Sequence, residues 1–285
     1  MKVLIFGADG MLGHQLVSHL AHNHEVFGTT RSGQAACSIP GVVLDRLEVR
    51  DAHELERMIK IVQPDAVVNA VGIVKQRSEA SNSIESIEVN TLFPHRLNHF
   101  ASELGYRLIH VSTDCVFSGS TGSYDDFSVH DALDLYGRSK SLGEVEGENT
   151  LTLRTSIIGL ELKRKTSLIE WFLAQSGVVR GHRNAIFTGL TTIELSRLIG
   201  NLLDAKSVSG IYNVGSDPID KYSLLTRLNT YLGGNTVVEE FTDFYCDRSL
   251  NSDRFRTEFH YRPPSWESML HELSAEILAR EEAGK

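Results

Sequence analysis

Apolar positions in the first half of the chain alternate between two patterns. Short runs of β-branched and other apolar residues, bounded by glycine or polar residues, are typical of buried strands. Such runs occur at residues 2–6, 25–30, 42–45, 64–72, 106–114 and 151–159. Helical segments are predicted between them, at residues 11–22, 51–62 and 83–104, and a further helix is placed at residues 136–140. Strands that alternate with helices predict a parallel sheet with crossover helices.

The pattern becomes irregular after about residue 158. Helices are predicted at residues 167–175, 192–203, 221–232 and 266–280, and one further strand at about 210–215. We therefore expect an α/β protein with a doubly wound parallel sheet. Residues 1–158 would form the sheet domain, to which the strand at 210–215 returns. Residues 159–285 would mainly form a smaller, interwoven C-terminal substrate lobe.

Two local signals refine the predicted helices. Asp51 stands directly before the second helix and is a suitable N-cap. The inward face of that helix is predicted to consist of Leu55, Met58, Ile59 and Val62. Phe93-Pro94 interrupts the long helical region, and a kink is expected there because proline cannot donate the backbone hydrogen bond.

Composition narrows the class of partner. The formal net charge is -9, with 41% hydrophobic and 23% charged residues, which argues against a nucleic-acid partner bound by a broad basic surface. The apolar run at the start is too short for a signal peptide, and no later run is long enough to span a membrane. Cys37, Cys115 and Cys246 lie far apart and suggest neither a disulfide framework nor a zinc site. A cytoplasmic location is expected.

The segment GADGMLG lies between the first strand and the first helix. Glycines in this context let the backbone approach a pyrophosphate, and the helix N-terminus favours its negative charge. The segment therefore predicts a dinucleotide site and a Rossmann-type sheet domain. The predicted contacts of this turn are Gly7, Asp9, Gly10, Met11, Leu12 and Gly13.

The end of the second strand predicts which dinucleotide is bound. NAD sites usually place an Asp or Glu there to bind the ribose 2′-hydroxyl, but this chain has Thr30, Arg31 and Ser32. Arg31 can accommodate a 2′-phosphate instead. The sequence thus favours NADPH over NADH, unless Arg31 is an ordinary surface arginine.

The segment YGRSK places Tyr136 and Lys140 four residues apart, on one face of a helix. A nearby cation lowers the pKa of a phenol, which would allow Tyr136 to transfer a proton near neutral pH. The same spacing also arises by chance between two exposed helix residues. The segment therefore needs a cofactor site and a partner hydroxyl group to indicate chemistry.

Four segments together resemble the extended short-chain dehydrogenase/reductases. GADGMLG, NAVG at residues 69–72, STDCVF at 112–117 and YGRSK occur in the order typical of that superfamily. Within it, the chain is similar to the dTDP-4-dehydrorhamnose reductases. STDCVFSG resembles their S-T-D-Y-V-F signature, LRTSIIG their L-R-T-S segment, and DRSLNSDRF their R-P-x-x-S-x-L element.

This resemblance implies transfer of a hydride from NADPH to C4 of a 4-keto-6-deoxy nucleotide sugar, for 6-deoxysugar and polysaccharide biosynthesis. It implies that Tyr136 is the general acid, that Lys140 lowers the pKa of Tyr136 and holds the nicotinamide ribose, and that Thr113 donates a hydrogen bond to the carbonyl oxygen. Further cofactor contacts implied by the resemblance are Val49, Ala70, Val71, Gly72 and Asn90, although Asn90 could equally be a helix-surface amide.

The substrate side rests on weaker signals. The residues predicted to bind substrate are Lys75, Asp114, Cys115, Val116, Arg183 and Arg248. Cys115 stands where the family usually has tyrosine, which puts the identity of the sugar in doubt. Arg248 lies in the matched C-terminal element and is the first candidate for a phosphate contact. No metal site is expected, and the acidic residues at 125–126 and 144–148 are expected to be solvated.

Two alternatives remain open. An NAD(P)-dependent epimerase or dehydratase would use the same scaffold, but dehydratases usually carry an acid pair after the catalytic threonine, and here Asp114 is alone. A non-catalytic NADP-binding regulatory subunit, resembling the methionine adenosyltransferase β subunit, is disfavoured by the intact Thr113, Tyr136 and Lys140. A homodimer is common in the superfamily.

Overall fold

Strands and helices alternate through the first half of the computed structural model, which describes residues 1–31, 43–74, 82–205 and 209–283. The strands are Lys2–Phe6 (β1), Glu25–Thr30 (β2), Val43–Arg46 (β3), Ala66–Asn69 (β4), Arg107–Val111 (β5), Thr150–Arg154 (β6), Ile157–Ile158 (β7), Val178–His182 (β8), Ala185–Phe187 (β9), Leu190–Thr191 (β10), Gly210–Asn213 (β11), Ile219–Asp220 (β12), Val237–Phe241 (β13) and Cys246–Asp247 (β14).

The helices cover the sheet and form much of the C-terminal lobe. They are Gly13–Leu20 (α1), Ala52–Val62 (α2), Ser83–Ile87 (α3), Phe93–Leu104 (α4), Leu135–Leu142 (α5), Leu168–Leu173 (α6), Thr192–Asp204 (α7), Lys221–Leu232 (α8), Asp253–Glu258 (α9) and Trp266–Ala283 (α10). In the part of the chain that the structure describes, no helix has both the length and the apolar character needed to cross a membrane.

The main sheet contains seven described strands in the order β11-β6-β5-β4-β1-β2-β3. All of its neighbouring strands are parallel. The chain leaves β1 towards β2 and β3 and then returns to the other side of β1 at β4. This doubly wound order confirms the predicted Rossmann-type α/β class. The strand β11 pairs with β6, while the division of the chain near residue 158 stays a prediction.

The two faces of the sheet carry separate apolar cores. Alternation along β1 sends Val3 and Ile5 into one core and Leu4 and Phe6 into the other. The first core also contains buried residues of α1, α7 and α10, and the second contains residues of α2 and α4. Burial on both faces explains why the strands are short continuous apolar runs.

Local signals in the sequence are realised at the helix ends. Asp51 caps α2, because its carboxylate accepts hydrogen bonds from His53 N at 2.9 Å and Glu54 N at 3.1 Å. The predicted inward residues of α2 are all buried. A π-helical turn at Glu88–Leu92 precedes α4, and the kink expected at Phe93-Pro94 stays a prediction.

Of the strands after β7, the sequence pattern predicts only β11, which belongs to the main sheet. Strands β8 and β13 form a parallel pair, and β12, β9 and β14 form a three-stranded sheet. Most of these strands have two or three residues, too few for a recognisable apolar period. The predicted strand at 151–159 is also two strands, since β7 leaves the main sheet and pairs with β10.

Candidate active site

A cleft of about 790 Å³ opens where the strands of the main sheet end. The segments that follow β1, β2, β4, β5 and β6 line one side of the cleft, and residues of β9, α8 and β14 line the other. The strand order reverses between β1 and β4 at this edge, which is where ligands usually bind in open α/β sheets.

The glycine turn forms the floor of this cleft. Gly7 adopts a φ of +84°, and a Cβ atom there would approach Ala70 O at 3.2 Å. A Cβ atom on Gly13 would lie 1.9 Å from Gly7 O, so no larger residue fits at the start of α1. Close backbone packing of this kind leaves room for a pyrophosphate above the turn. The residues present therefore fit a dinucleotide.

The remaining residues of the turn divide between the cleft and the core. Gly7, Asp9, Gly10, Met11 and Leu12 line the cleft, whereas Gly13 only packs against the turn. Asp9 also forms an ion pair with Lys163 across the cleft, with Oδ2 and Nζ 2.9 Å apart. This contact joins the turn to the loop before α6 and was not anticipated from the sequence.

The end of β2 lines the far side of the cleft. Thr30 is buried, and Arg31 is exposed and lines the cleft. Ser32 lies outside the described residues. Val49 lines the same end. Its neighbours Glu48 and Arg50 form a two-point ion pair, with Nε to Oε1 at 2.8 Å and Nη2 to Oε2 at 2.9 Å.

This Glu48 and Arg50 pair was missed in the sequence. Hydrogen bonding to Arg50 is the main cause that lowers the pKa of Glu48, and the charge of Arg31 contributes to the same direction. The carboxylate therefore stays charged at the end of the cleft where Arg31 lies. The signal that could have identified the pair is the E-V-R alternation at residues 48–50, shortly after β3.

Thr113, Tyr136 and Lys140 meet in the cleft at the end of β5. The Thr113 Oγ1 atom accepts a hydrogen bond from Cys115 N at 3.1 Å, and the side chains of Thr113 and Tyr136 are hydrogen-bonded. Lys140 is buried, and its Nζ donates to Val111 O at 2.9 Å. The partner hydroxyl group that YGRSK needs is thus adjacent to Tyr136.

The electrostatics of these residues differ from the expectation that Lys140 lowers the pKa of Tyr136. Burial raises the pKa of Tyr136 above its ordinary 10.0, Cys115 adds to this rise, and the hydrogen bond to Thr113 opposes it. Burial also lowers the pKa of Lys140 to about 8, against the opposing charge of Glu144. Desolvation is the largest effect on Tyr136, so the phenol keeps its proton at neutral pH.

The loop after β4 forms the wall between the glycine turn and α5. Ala70, Val71 and Gly72 line the cleft. Asn90 is fully buried behind this wall, where its amide accepts from Ile73 N at 2.9 Å and donates to Ser139 Oγ at 3.1 Å. The structure thus places Asn90 as a support of the loop and of α5, outside the cleft lining and not on a helix surface.

The predicted substrate residues do not all reach the cleft. Asp114, Cys115 and Arg248 line it. Val116 is instead fully buried in a small core with Phe117, Tyr124 and Leu250, because the 3-10 turn at Asp114–Val116 directs its side chain inward. Lys75 lies outside the described residues.

Arg183 is also placed outside the cleft lining. Its guanidinium contacts Asp220 Oδ2 and Glu240 Oε1, each at 3.4 Å, and lies over the ring of Tyr222. Arg248 instead donates from Nε to Phe117 O at 2.9 Å and from Nη2 to Ser118 O at 3.1 Å. Local carboxylates thus neutralise Arg183, while backbone carbonyls hold Arg248 at the cleft.

Two acidic residues expected to be solvated are not exposed. Asp126 is half-buried, and its carboxylate accepts from Asn213 N. The Glu144 side chain is 3% exposed and pairs with Arg154, whose side chain is 5% exposed. The sequence could not indicate this pair, because the partner is on the neighbouring strand β6 and ten residues away.

The fold and the cleft define the chain as a Rossmann-type protein with a dinucleotide-shaped site. It belongs to the RmlD substrate binding domain family, whose sequence model matches residues 1–165. The predicted family resemblance is thereby confirmed.

Individual proteins resemble the chain at low sequence identity. The dTDP-4-dehydrorhamnose reductase of Burkholderia thailandensis is 29% identical over 161 residues, which cover 55% of this chain and 50% of that protein. The chain thus spans about half the length of this curated relative. The "Probable low-salt glycan biosynthesis reductase" of Haloferax volcanii is 28% identical over 230 residues, which cover 76% of this chain and 75% of that protein.

Solved structures extend the likeness of the fold over the whole chain. The dTDP-4-dehydrorhamnose reductase of Bacillus anthracis, crystallised in complex with NADP, superposes with a TM-score of 0.82 and 18% identity. The superposition covers 96% of this chain and 99% of that one. At this identity the comparison shows a shared fold.

Proposed function

We propose that the chain is an NADPH-dependent oxidoreductase that reduces the C4 keto group of a 4-keto-6-deoxy nucleotide sugar. The observation that carries the proposal is the hydrogen-bonded pair of Tyr136 and Thr113, which lies at the end of β5 in the same cleft as the glycine turn. A proton donor beside a dinucleotide site is what reduction of a carbonyl group requires. The product would serve 6-deoxysugar and polysaccharide biosynthesis.

The cleft residues divide the chemistry between them. NADPH, when bound, supplies the hydride for the carbonyl carbon. Tyr136 donates its proton to the carbonyl oxygen, so that the keto group becomes a hydroxyl group. Its raised pKa keeps that proton on the phenol until negative charge develops on the substrate. Thr113 lies beside Tyr136 and stabilises the same charge by a hydrogen bond.

The cofactor assignment rests on the glycine turn and on Arg31. The turn leaves space for a pyrophosphate, and β2 ends in Thr30 and Arg31 instead of an acid, with Arg31 lining the cleft at that end. The similar Bacillus anthracis structure contains NADP. Lys140 lines the same cleft as Val71 and Gly72 and would hold the nicotinamide ribose.

The nucleotide sugar would occupy the side of the cleft formed by the C-terminal lobe. Asp114 and Cys115 adjoin the proton donor and would face the sugar. Arg248 and Lys221 line the opposite wall, and among the described residues no carboxylate pairs with Lys221. These two cations would bind the diphosphate, while the half-exposed ring of Phe244 offers a stacking surface for the base.

Neither alternative function is favoured. The relative aligned over 76% of the chain is named a reductase, and Asp114 remains a single acid after Thr113. A regulatory subunit would not need the Tyr136 and Thr113 pair. The cytoplasmic location and the homodimer stay predictions.

The test is NADPH oxidation, followed by absorbance, against 4-keto-6-deoxy sugars that carry dTDP or UDP. We expect rapid loss of NADPH with at least one sugar nucleotide, slower loss of NADH, and none without sugar. If NADPH binds tightly but no sugar of the panel is reduced, the reductase assignment is wrong for this substrate class. The regulatory-subunit alternative would then be tested by copurification of a partner enzyme.

A further inference from the structure

A buried ion pair lies behind the three residues proposed to carry the chemistry. Arg154, in β6, donates from Nε to Glu144 Oε1 at 2.8 Å and to Oε2 at 2.9 Å, and from Nη2 to Oε2 at 2.8 Å. Its Nη1 donates to Asp126 O at 2.8 Å. All three guanidinium nitrogens thus donate hydrogen bonds, and two of them hold the carboxylate in one orientation.

The Glu144 carboxylate also accepts a hydrogen bond from the segment after β5 that carries Thr113. Ser112 directly precedes Thr113, and its Oγ donates to Glu144 Oε1 at 2.7 Å. His130 approaches from the other side, with Nε2 at 3.6 Å from Glu144 Oε2. Burial lowers the pKa of His130, so its ring is mainly neutral at pH 7.

Glu144 follows the end of α5, four residues after Lys140. Lys140 itself donates to Val111 O, two residues before Thr113 on β5. Two contacts therefore tie α5 to the end of β5, one through Lys140 and one through Glu144. The end of α5 also packs closely against the backbone of Asn90, since a Cβ atom on Gly143 would lie 1.8 Å from Asn90 O.

We propose that Glu144 is a positioning residue, which with Arg154 sets the spacing between Thr113, just after β5, and the α5 residues Tyr136 and Lys140, and keeps a negative charge near Lys140. The expected effect on the reaction rests on the proposed function, whereas the expected effect on NADPH binding does not depend on the sugar substrate. An ion pair that acted only as a structural support would leave the pH dependence of NADPH affinity unchanged. The pH dependence therefore separates the two roles.

The charge of Glu144 acts on Lys140 specifically. Burial lowers the pKa of Lys140 to about 8, and Glu144 is the group that opposes this lowering. Among the described residues, Tyr136 of the same helix stays protonated, and the pKa of His110 is held well below 6.5 by burial and by Lys140. Asp114 and Cys115 face Tyr136 in the same cleft. Loss of the Glu144 charge therefore removes protonated Lys140 as the pH rises towards 8.

The experiment compares Glu144→Gln with wild type by fluorescence titration of NADPH between pH 6 and pH 9. If the pKa of Lys140 falls by about one, the charged fraction at pH 8 falls roughly fivefold. We expect NADPH affinity to fall by about that factor at pH 8 and to change less than about twofold at pH 6. The alkaline limb of kcat/KM should move to lower pH by the same amount.

Two variants separate this effect from a loss of folding. Glu148→Gln changes an exposed acid of the same segment and should leave the titrations unchanged. The double variant Glu144→Gln with Arg154→Met removes the unpaired cation and should keep the loss of affinity at pH 8. Wild-type pH dependence in the double variant, or in a folded Glu144→Gln protein, would overturn the proposal. Because binding needs no sugar, a failed reductase assay leaves this test intact.

Discussion

The two sides of the cleft differ in how their charged and polar groups are held. On the sheet side, Lys140 and Glu144 are buried and fixed by hydrogen bonds to β5 and β6. In the C-terminal lobe, Arg183 lies outside the cleft lining, has a side chain that is 43% exposed, and is neutralised by carboxylates of its own lobe. Arg248 lies between these extremes, anchored by backbone carbonyls at the cleft.

The difference shows where geometry is fixed before a ligand arrives. Buried polar groups on the sheet side cost free energy unless each is satisfied, so their positions are closely specified. Exposed arginines in the lobe contribute little to stability and can form new contacts. We therefore expect the largest effects of substitution on the sheet side to appear in kcat, and those on the lobe side in KM.

The largest effect should come from Tyr136→Phe. The change removes only the phenolic proton donor, and general acids contribute about 10²- to 10⁴-fold to rates. We expect kcat to fall about 1,000-fold, while NADPH affinity measured by fluorescence titration stays within about threefold. Near wild-type turnover in this variant would rule out the proposed mechanism.

The lobe side is tested by Arg248→Met against Arg183→Met. A hydrogen bond to a charged group contributes about 2 kcal/mol, which corresponds to roughly 30-fold in affinity. We expect KM for the sugar nucleotide to rise about 30-fold in Arg248→Met, with kcat little changed.

Arg183→Met is the matched control, since it removes the same charge from a residue outside the cleft. Its KM should stay close to wild type. Equal losses in the two variants would mean that the cations of the lobe act through net charge and not through contact with the diphosphate.

Sequence reasoning succeeded where function depends on short backbone motifs. The alternation of strands and helices, the glycine turn and the spacing of Tyr136 and Lys140 are local patterns, and the structure brings the turn and the two residues into one cleft. Sequence reasoning did not find the pair of Glu48 and Arg50 or the pair of Glu144 and Arg154. It also assigned Arg183 to substrate binding, whereas the structure places this residue outside the cleft lining. A long charged side chain can reach several partners, so its contact is decided by tertiary packing and not by its neighbours in sequence.

Lys140→Met tests whether the buried ammonium of Lys140 lowers the free energy of unfolding of the protein. The pKa of Lys140 falls from 10.5 to about 8 on burial, and each tenfold change in proton affinity corresponds to about 1.4 kcal/mol, so the buried ammonium costs about 3 kcal/mol. The lost hydrogen bond to Val111 offsets about 1 kcal/mol. We expect Lys140→Met to be about 2 kcal/mol more stable at pH 7 in urea unfolding, and inactive.

The pH dependence gives the sign of this effect. The unfolded chain binds a proton at Lys140 up to pH 10.5, while the folded chain loses it above about pH 8. Wild-type stability gains from this group as the pH rises through that window, so the advantage of Lys140→Met should shrink from pH 8 to pH 10. The exposed Lys60 is the control, and Lys60→Met should show no such trend. A constant difference between wild type and Lys140→Met would mean that Lys140 is not desolvated.

The smallest effect is expected from Arg31→Asp, because Arg31 is exposed at the end of β2. Aspartate accepts a hydrogen bond from a ribose 2′-hydroxyl but repels a 2′-phosphate. We expect the ratio of NADPH to NADH affinity to fall about tenfold, close to 1.4 kcal/mol. Arg46→Asp introduces the same change of charge on the adjacent strand, where Arg46 is paired in register with Thr30 but does not line the cleft. If both variants lose NADPH affinity equally, long-range charge selects the cofactor, and the arginine at the end of β2 does not read the 2′ position by contact.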